Sequence, residues 1–300
     1  MLANQAMGFI DRLEENSQLI DMDIFAIKTN LLTGAPIYIA IVVAFLVLLA
    51  IHPYVVAFAY LFLCLWALLG PKHAIQALSL NYIIVLFNPA IYALPEGIGV
   101  LRWTILFFAG LRVLPFTAKR SLRYLIPLFF FFLMITVLSW TVSPQFQISF
   151  LKIAIFTYFA ATVLTAFDSL DNSQLHEVKI WFFCLTATVV ILSIPTLLFH
   201  NIGYLRNGRG FQGILNHPQA FGTFMAPITA YIGALLLFNA NKNSYWKWLF
   251  GVTSIVIICI SQARTAMLTF LLSLAITFAI IVFCSRQRVF EWAPYRRKLP

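Results

Sequence analysis

Ten continuous apolar runs dominate this chain. They lie near 35–51, 54–70, 74–94, 98–115, 123–142, 146–167, 178–199, 218–238, 246–261 and 265–284, each about 16 to 22 residues long. A helix needs about 20 apolar residues to cross the roughly 30 Å hydrocarbon core of a bilayer. The runs do not alternate between apolar and polar, which excludes an outer-membrane barrel. Composition points the same way: 62% of the 300 residues are hydrophobic and only 10% are charged, against about 25% charged in a soluble domain. So few polar groups cannot cover a surface in water, and a disordered chain, a secreted disulfide scaffold and a soluble enzyme are all excluded. The expected fold is an all-α, polytopic integral membrane helical bundle of about ten transmembrane helices. Only His52-Pro53 separates the first two runs. A single helix over 35–70 would be about 54 Å long, so a break at Pro53 is expected.

Charge sets the expected orientation. The formal net charge is +10, from 20 Lys+Arg against 10 Asp+Glu. With the N-terminus in the cytoplasm, 15 of the 20 basic residues fall on the inner side, densest at 112–123 and after 284. Basic residues favour the cytoplasmic face, so both termini are expected there. This accounts for the positive charge without nucleic acid. The expected organisation is a cytoplasmic segment over 1–34, a transmembrane bundle over 35–284 with an outer loop at 200–217, and a basic cytoplasmic tail over 285–300. Residues 1–34 carry Asp11, Glu14, Glu15, Asp21 and Asp23 before any long apolar run, which is no cleavable signal. Residues 6–20 fit either a short interfacial helix or a polar tail. Cys64, Cys184, Cys259 and Cys284 all lie in apolar runs, far apart in sequence. They read as small core residues with no C-x-x-C pair.

Five basic residues remain on or near the outer side: Arg102, Lys152, Arg206, Arg209 and Arg264. Arg102 lies about one turn into its run and Lys152 somewhat deeper. Charge inside a span is costly and usually faces a cavity, although a long side chain can also snorkel to the interface. The only outer carboxylate is Glu96. An electropositive outer mouth follows, suited to an anion, and phosphate matches the arginine fork best. The shortage of carboxylates argues against a Mg²⁺ or Mn²⁺ site, and no cofactor is expected. Gly208-Arg209-Gly210-Phe211-Gln212-Gly213 fits G-x-G-x-x-G to the letter. It lacks the strand–turn–helix setting that a dinucleotide needs, so the glycines read as a loop whose backbone approaches a ligand closely. Pro218 suits the first turn of the next helix.

Arg209-Gly210, then Gly213, then Asn216-His217-Pro218-Gln219-Ala220-Phe221-Gly222 entering an apolar run resembles the O-antigen ligase and O-antigen polymerase family. Ser261-Gln262-Ala263-Arg264-Thr265-Ala266-Met267-Leu268 resembles that family's second signature, a Ser- and Arg-bearing turn that opens a helix. Related exopolysaccharide polymerases carry a similar Ser-Gln-x-basic-Thr-Ala run. Ser143-Pro144 before a helix, within Ser139 to Phe167, is also similar. The specific part covers about 200–285.

The resemblance implies a multi-pass membrane glycosyltransferase of the bacterial inner membrane with its active side periplasmic. The implied donor is a glycan on undecaprenyl pyrophosphate, and the implied acceptor is a glycan or lipid A-core. A sugar hydroxyl would attack the anomeric carbon while the lipid pyrophosphate leaves. Arg209 and Arg264 would hold that leaving group, with Arg206, Lys152 and Arg102 as further substrate-binding cations. This is electrostatic stabilisation, which needs no metal. The family places its acid–base histidine in a large outer loop followed by further spans, and nothing up to Pro300 matches it. The chain alone is therefore expected to have little transferase activity. His200 and His217 lie on the outer side but not at that position, and His217 is the weak candidate base. The competing class is a transporter or exporter of an anionic lipid or sugar. That class predicts midplane charges and related halves, and only Lys152 fits.

Overall fold

The structure, a computed structural model, describes residues 35–51, 53–91, 100–116, 122–204, 210–238 and 245–292. Among them the chain is all-helical, with one isolated bridge between Tyr204 and Phe211 and no strand. The helices are α1 (Ala35–Ile51), α2 (Pro53–Leu68), α3 (Pro71–Val85), α4 (Leu101–Val113), α5 (Leu122–Val142), α6 (Phe146–Asp168), α7 (Asn172–Ser193), the single turn α8 (His200–Gly203), α9 (Pro218–Phe238), α10 (Tyr245–Ser261) and α11 (Arg264–Trp292). Short 3-10 turns follow α4 and α7. Among the described residues, three segments are long and apolar enough to cross a membrane: Leu122–Val142, Phe146–Asp168 and Asn172–Leu197.

Proline sets many of the boundaries. Pro53, Pro71 and Pro218 each open a helix, where a missing N–H costs nothing. The run at 74–94 was expected to be one helix, but α3 ends at Val85. Pro89 biases its neighbour out of the helical region, and Asn88 Oδ1 accepts the Ala90 N–H at 2.9 Å in a turn. At the other end of the chain, α11 continues past residue 284 to Trp292. No glycine or proline interrupts it before Pro294, so part of the expected tail is helical. The N-terminal segment 1–34 and residues 293–300 lie outside the described residues.

The described helices fall into two compact units, with the boundary inside α7 after Leu185. The first unit, Gly34–Leu185, is centred on Trp181, which is fully buried. Its indole N–H donates to Ser79 Oγ at 2.8 Å. Tyr38 and Trp66 each meet it edge-on at 5.5 Å between ring centroids. Beside this cluster Lys72 Nζ pairs with Glu177 Oε2 at 2.6 Å, and the Tyr38 hydroxyl donates to the same oxygen at 3.4 Å. Helices α1, α3 and α7 are thus joined at one place. Further along, Cys64 Sγ lies 3.4 Å from Thr104 Oγ1, and Asn81 Nδ2 donates to the Arg102 carbonyl at 3.3 Å. These contacts fix α4 against α2 and α3. The Tyr158 hydroxyl of α6 donates to the Phe107 carbonyl at 3.2 Å, over Gly110, where any side chain would collide with the phenol ring.

Helices α5 and α6 form a hairpin through Ser143–Gln145. Phe132 and Phe150 approach to 6.0 Å between centroids, and Ser143 and Ser149 share a 2.8 Å hydroxyl hydrogen bond. No residue of α5 is buried, although the helix is almost wholly apolar. So large an apolar surface would drive association in water, and hydrocarbon is the solvent that suits it.

In the second unit, α9, α10 and α11 pack together. Gly222 of α9 meets Ala263 and Ala266 at the start of α11, and Gly233 meets Phe270 and Leu274 further along. Both contact points advance in the same direction, so α9 and α11 run parallel. Gly251 of α10 touches Ile232 and Leu236 near the end of α9, and α10 runs antiparallel to α9. Of the cysteines expected in the core, Cys64 and Cys184 are buried but Cys259 is exposed. It lies on an α10 face with Val252, Ile255, Val256 and Ile260, all exposed. Their 3- and 4-residue spacing makes one apolar stripe.

Candidate functional site

The second half of the expected outer loop, 200–217, is packed and not a floppy connection. Gly210, Phe211, Gln212, Gly213, Ile214 and Leu215 are all buried. Buried backbone must find partners, and it does. The Phe211 N–H donates to the Ile260 carbonyl at 3.1 Å, and the Gln212 N–H to the Gly203 carbonyl at 2.8 Å. The Ile214 N–H donates to Ser193 Oγ at 3.2 Å, while that hydroxyl donates to the Val189 carbonyl at 2.7 Å. The Gln212 side-chain amide donates to the Ile202 carbonyl at 3.0 Å. One segment therefore ties the end of α7, the turn α8 and the end of α10 together.

Three residues here adopt left-handed backbone: Gly210 (φ 77°), Gly213 (φ 60°) and Gln262 (φ 54°). Glycine is required twice over at 210. Its φ is positive, and a Cβ would stand 2.8 Å from the Ser261 carbonyl oxygen and 3.0 Å from Pro218. At Gly213 a Cβ would collide with Ser193 Oγ. The close approach anticipated from the glycines is thus to this protein's own backbone and side chains.

The turn between α10 and α11 is built just as locally. Ser261 is fully buried. Its Oγ donates to the Ile258 carbonyl at 2.7 Å and accepts the Ala263 N–H at 3.4 Å. Gln262, left-handed, reverses the chain, and α11 begins at Arg264. Gln262 and Arg264 are exposed while Ala263 between them is buried against Gly222. Small residues on both sides allow the close crossing.

The two sequence motifs, some fifty residues apart, therefore form one junction: Gly210 packs on Ser261 and Pro218, Phe211 is bonded to Ile260, and Gly222 lies on Ala263. Asn216, His217, Gln219, Gln262 and Arg264 are exposed around it. His217 has a defined role. Its Nδ1 accepts the Gln219 N–H at 3.1 Å, capping the start of α9. In the neutral ring that bond leaves the proton on Nε2. His200 stacks on Tyr204 at 4.5 Å between centroids.

The remaining expected site residues separate. Arg206 and Arg209 lie outside the described residues. Arg102 and Lys152 belong to the first unit, whereas Arg264 and His217 belong to the second. Arg102 is half-buried, with its guanidinium 4.7 Å from the centre of the Trp103 ring and its Nε without a hydrogen-bond partner among the described residues. Lys152 is exposed on α6. Among the described residues no three His, Cys, Asp or Glu side chains converge as a metal site would require. The capping by His217 and the left-handed Gln262 were missed from sequence. Only the packing of Gly210 and Gly222 reveals the sharp reversal at 262. No family model matches this chain, and no curated protein or solved structure matches it either.

Proposed function

We propose that this protein is a membrane glycosyltransferase of the ligase or polymerase type, acting on a glycan carried by undecaprenyl pyrophosphate. The observation that supports it is the junction in the second unit. Two motifs that resemble the same family, distant in sequence, are joined by the Phe211–Ile260 hydrogen bond and the contact of Gly210 with Ser261. Arg209 immediately precedes Gly210, and Arg264 opens α11 three residues after Ser261. A rigid backbone link between their neighbours suits two arginines that act on one ligand. The helices α9 and α11 also begin side by side, so their positive ends point the same way.

In this reading Arg209 and Arg264 each grip a phosphate of the donor. An acceptor hydroxyl attacks the anomeric carbon, the bond to the pyrophosphate oxygen breaks, and the guanidinium groups stabilise the negative charge gathering there. The His217 Nε2–H is a further donor beside the same junction. Arg206, from the same outer loop, adds positive charge, and a lipid A-core or glycan acceptor approaches from the outer side. The proposed topology is ten crossings of the bacterial inner membrane with both termini cytoplasmic.

Two experiments test this. For topology, a cysteine placed at Asn207 is expected to react with an impermeant thiol reagent in intact cells, and one at Asn243 is not; reversed labelling would put the junction on the wrong side. For chemistry, Arg209→Ala and Arg264→Ala are each expected to lower donor use about 10- to 100-fold. That follows from the loss of a charged hydrogen bond worth about 1.5–3 kcal/mol. Lysine should rescue only in part, because it keeps the charge but loses the fork. The readout is surface glycan in the host strain whose own gene is deleted, with membrane levels of each variant matched. Normal glycan from both alanine variants would remove the clamp.

A further inference from the structure

Charge in the first unit is sorted by end. Tyr158 of α6 meets Phe107 and Gly110 of α4. The 3-10 turn after α4 also packs on α6, and the buried residues of α6, Thr162, Thr165 and Ala166, all lie beyond Tyr158. The two helices therefore run parallel. Lys152 stands six residues before Tyr158, and Arg102 stands five before Phe107 and eight before Gly110. At about 1.5 Å per residue both cations lie roughly 9 Å to the same side of that contact, at one level. The described carboxylates of the unit, Asp168, Asp171 and Glu177, are at the other end, where α6 passes into α7. Asp168 is about 24 Å along α6 from Lys152, and Glu177 is paired with Lys72. Glu96, outside the described residues, is the only other carboxylate between 35 and 185. The two cations outnumber it, so their end carries net positive charge.

The setting of that charge is apolar. Phe146–Asp168 is long and apolar enough to cross a membrane, and Ile148, Leu151, Phe156 and Phe159 are exposed around Lys152. An ammonium among such residues is costly in hydrocarbon, and its long stem carries it to the headgroup level. Exposed tryptophans mark that level: Trp103 at the start of α4, and Trp140 against Phe146 at the start of α6. Arg102 is held there. Its guanidinium lies over Trp103, its carbonyl accepts from Asn81, and its Nε is buried with no hydrogen-bond partner among the described residues. A buried N–H calls for an acceptor. We infer that Arg102 and Lys152 form a binding site for the phosphate of an anionic phospholipid headgroup. A soluble anion would have to reach Lys152 across exposed apolar side chains. A phospholipid covers those with its acyl chains while its phosphodiester meets the cations. The guanidinium offers a fork to two phosphate oxygens, and the ammonium a point charge. The site is separate from the clamp of Arg209 and Arg264 and stands or falls without it.

The test counts bound lipid. The full chain in detergent is titrated with phosphatidylglycerol or with phosphatidylcholine, and retained lipid is read by native mass spectrometry. The parent is expected to prefer phosphatidylglycerol. Lys152→Gln and Arg102→Gln should each weaken that binding about three- to tenfold, the loss of one charged contact partly screened at the interface. Lys152→Arg should bind like the parent. Arg123→Gln removes an exposed cation from the start of α5, at the opposite end of the unit, and should leave binding unchanged. Because Lys152 is exposed, Lys152→Gln should melt within about 2 °C of the parent in phosphatidylcholine. Equal weakening by Arg123→Gln would reduce the effect to net charge, and full binding by both Lys152→Gln and Arg102→Gln would place the lipid elsewhere; either result overturns the inference. So would weaker binding only in variants that also melt early. Displacement of phosphatidylglycerol by millimolar inorganic phosphate or pyrophosphate would make this a site for a soluble anion and overturn the lipid assignment.

Discussion

Replacing Trp181 by alanine is expected to cost the first unit about 3–5 kcal/mol, the usual range for deleting a large buried aromatic side chain. Trp181 is fully buried, and three neighbours depend on it. Tyr38 and Trp66 each lose an edge-on ring contact, worth about 0.5–1.5 kcal/mol beyond burial. Ser79 Oγ loses the indole N–H but keeps its own bond to the Gln76 carbonyl at 2.7 Å. Thermal unfolding of the purified protein in detergent should show a fall of roughly 10 °C or more. Trp181→Phe fills most of the space and lacks only the N–H, so its loss should be about 1–2 kcal/mol. An alanine variant within about 1 kcal/mol of the parent would show that Trp181 is not the centre of this core.

In the second unit the largest effect is expected from Gly210→Val. Valine in left-handed backbone costs about 1–2 kcal/mol. Its Cβ would also stand 2.8 Å from the Ser261 carbonyl oxygen, which cannot retreat without moving the α10–α11 turn. Overpacking of this kind costs about 1–3 kcal/mol, for roughly 2–5 kcal/mol together. Gly210→Asn separates the two causes, because asparagine tolerates positive φ but still carries a Cβ. Equal losses from Asn and Val would assign the effect to crowding alone. If both variants melt like the parent, the Gly210–Ser261 contact does not hold the junction.

Helix placement was legible because it depends on local sequence. Apolar runs and prolines located α1 and α2 on either side of His52, and Pro218 marked the start of α9. Where a local signal was overlooked, placement failed: Asn88-Pro89 ends α3 early, and the lack of a breaker lets α11 run on through Arg286 and Arg288. The two motifs were legible as separate strings. Their joining was not, since Phe211 carries no mark of its partner Ile260. The same holds for Lys72 and Glu177, which are 105 residues apart and became a pair only through the packing of α3 on α7. Cys259 shows a further limit. An apolar residue in an apolar helix has no sequence label for the face that meets neighbours and the face that meets lipid. Apolar helices and membrane crossings are different statements, and only the helices follow from apolar runs and breakers.

The bond from Phe211 to Ile260 also imposes an order on biosynthesis. Its acceptor emerges from the ribosome about fifty residues after its donor, a delay of about 3–10 s at about 5–20 residues per second. Until then the Gly210–Leu215 segment has its links to Ser193 and Gly203 available but neither Ile260 nor Ser261 to close over it. Helix α10 must arrive, and then the turn at Gln262 must form, before Ala263 can seat against Gly222. The junction therefore closes only once residues 260–266 have been made, ahead of the contacts of Gly233 with Phe270 and Leu274 further along α11.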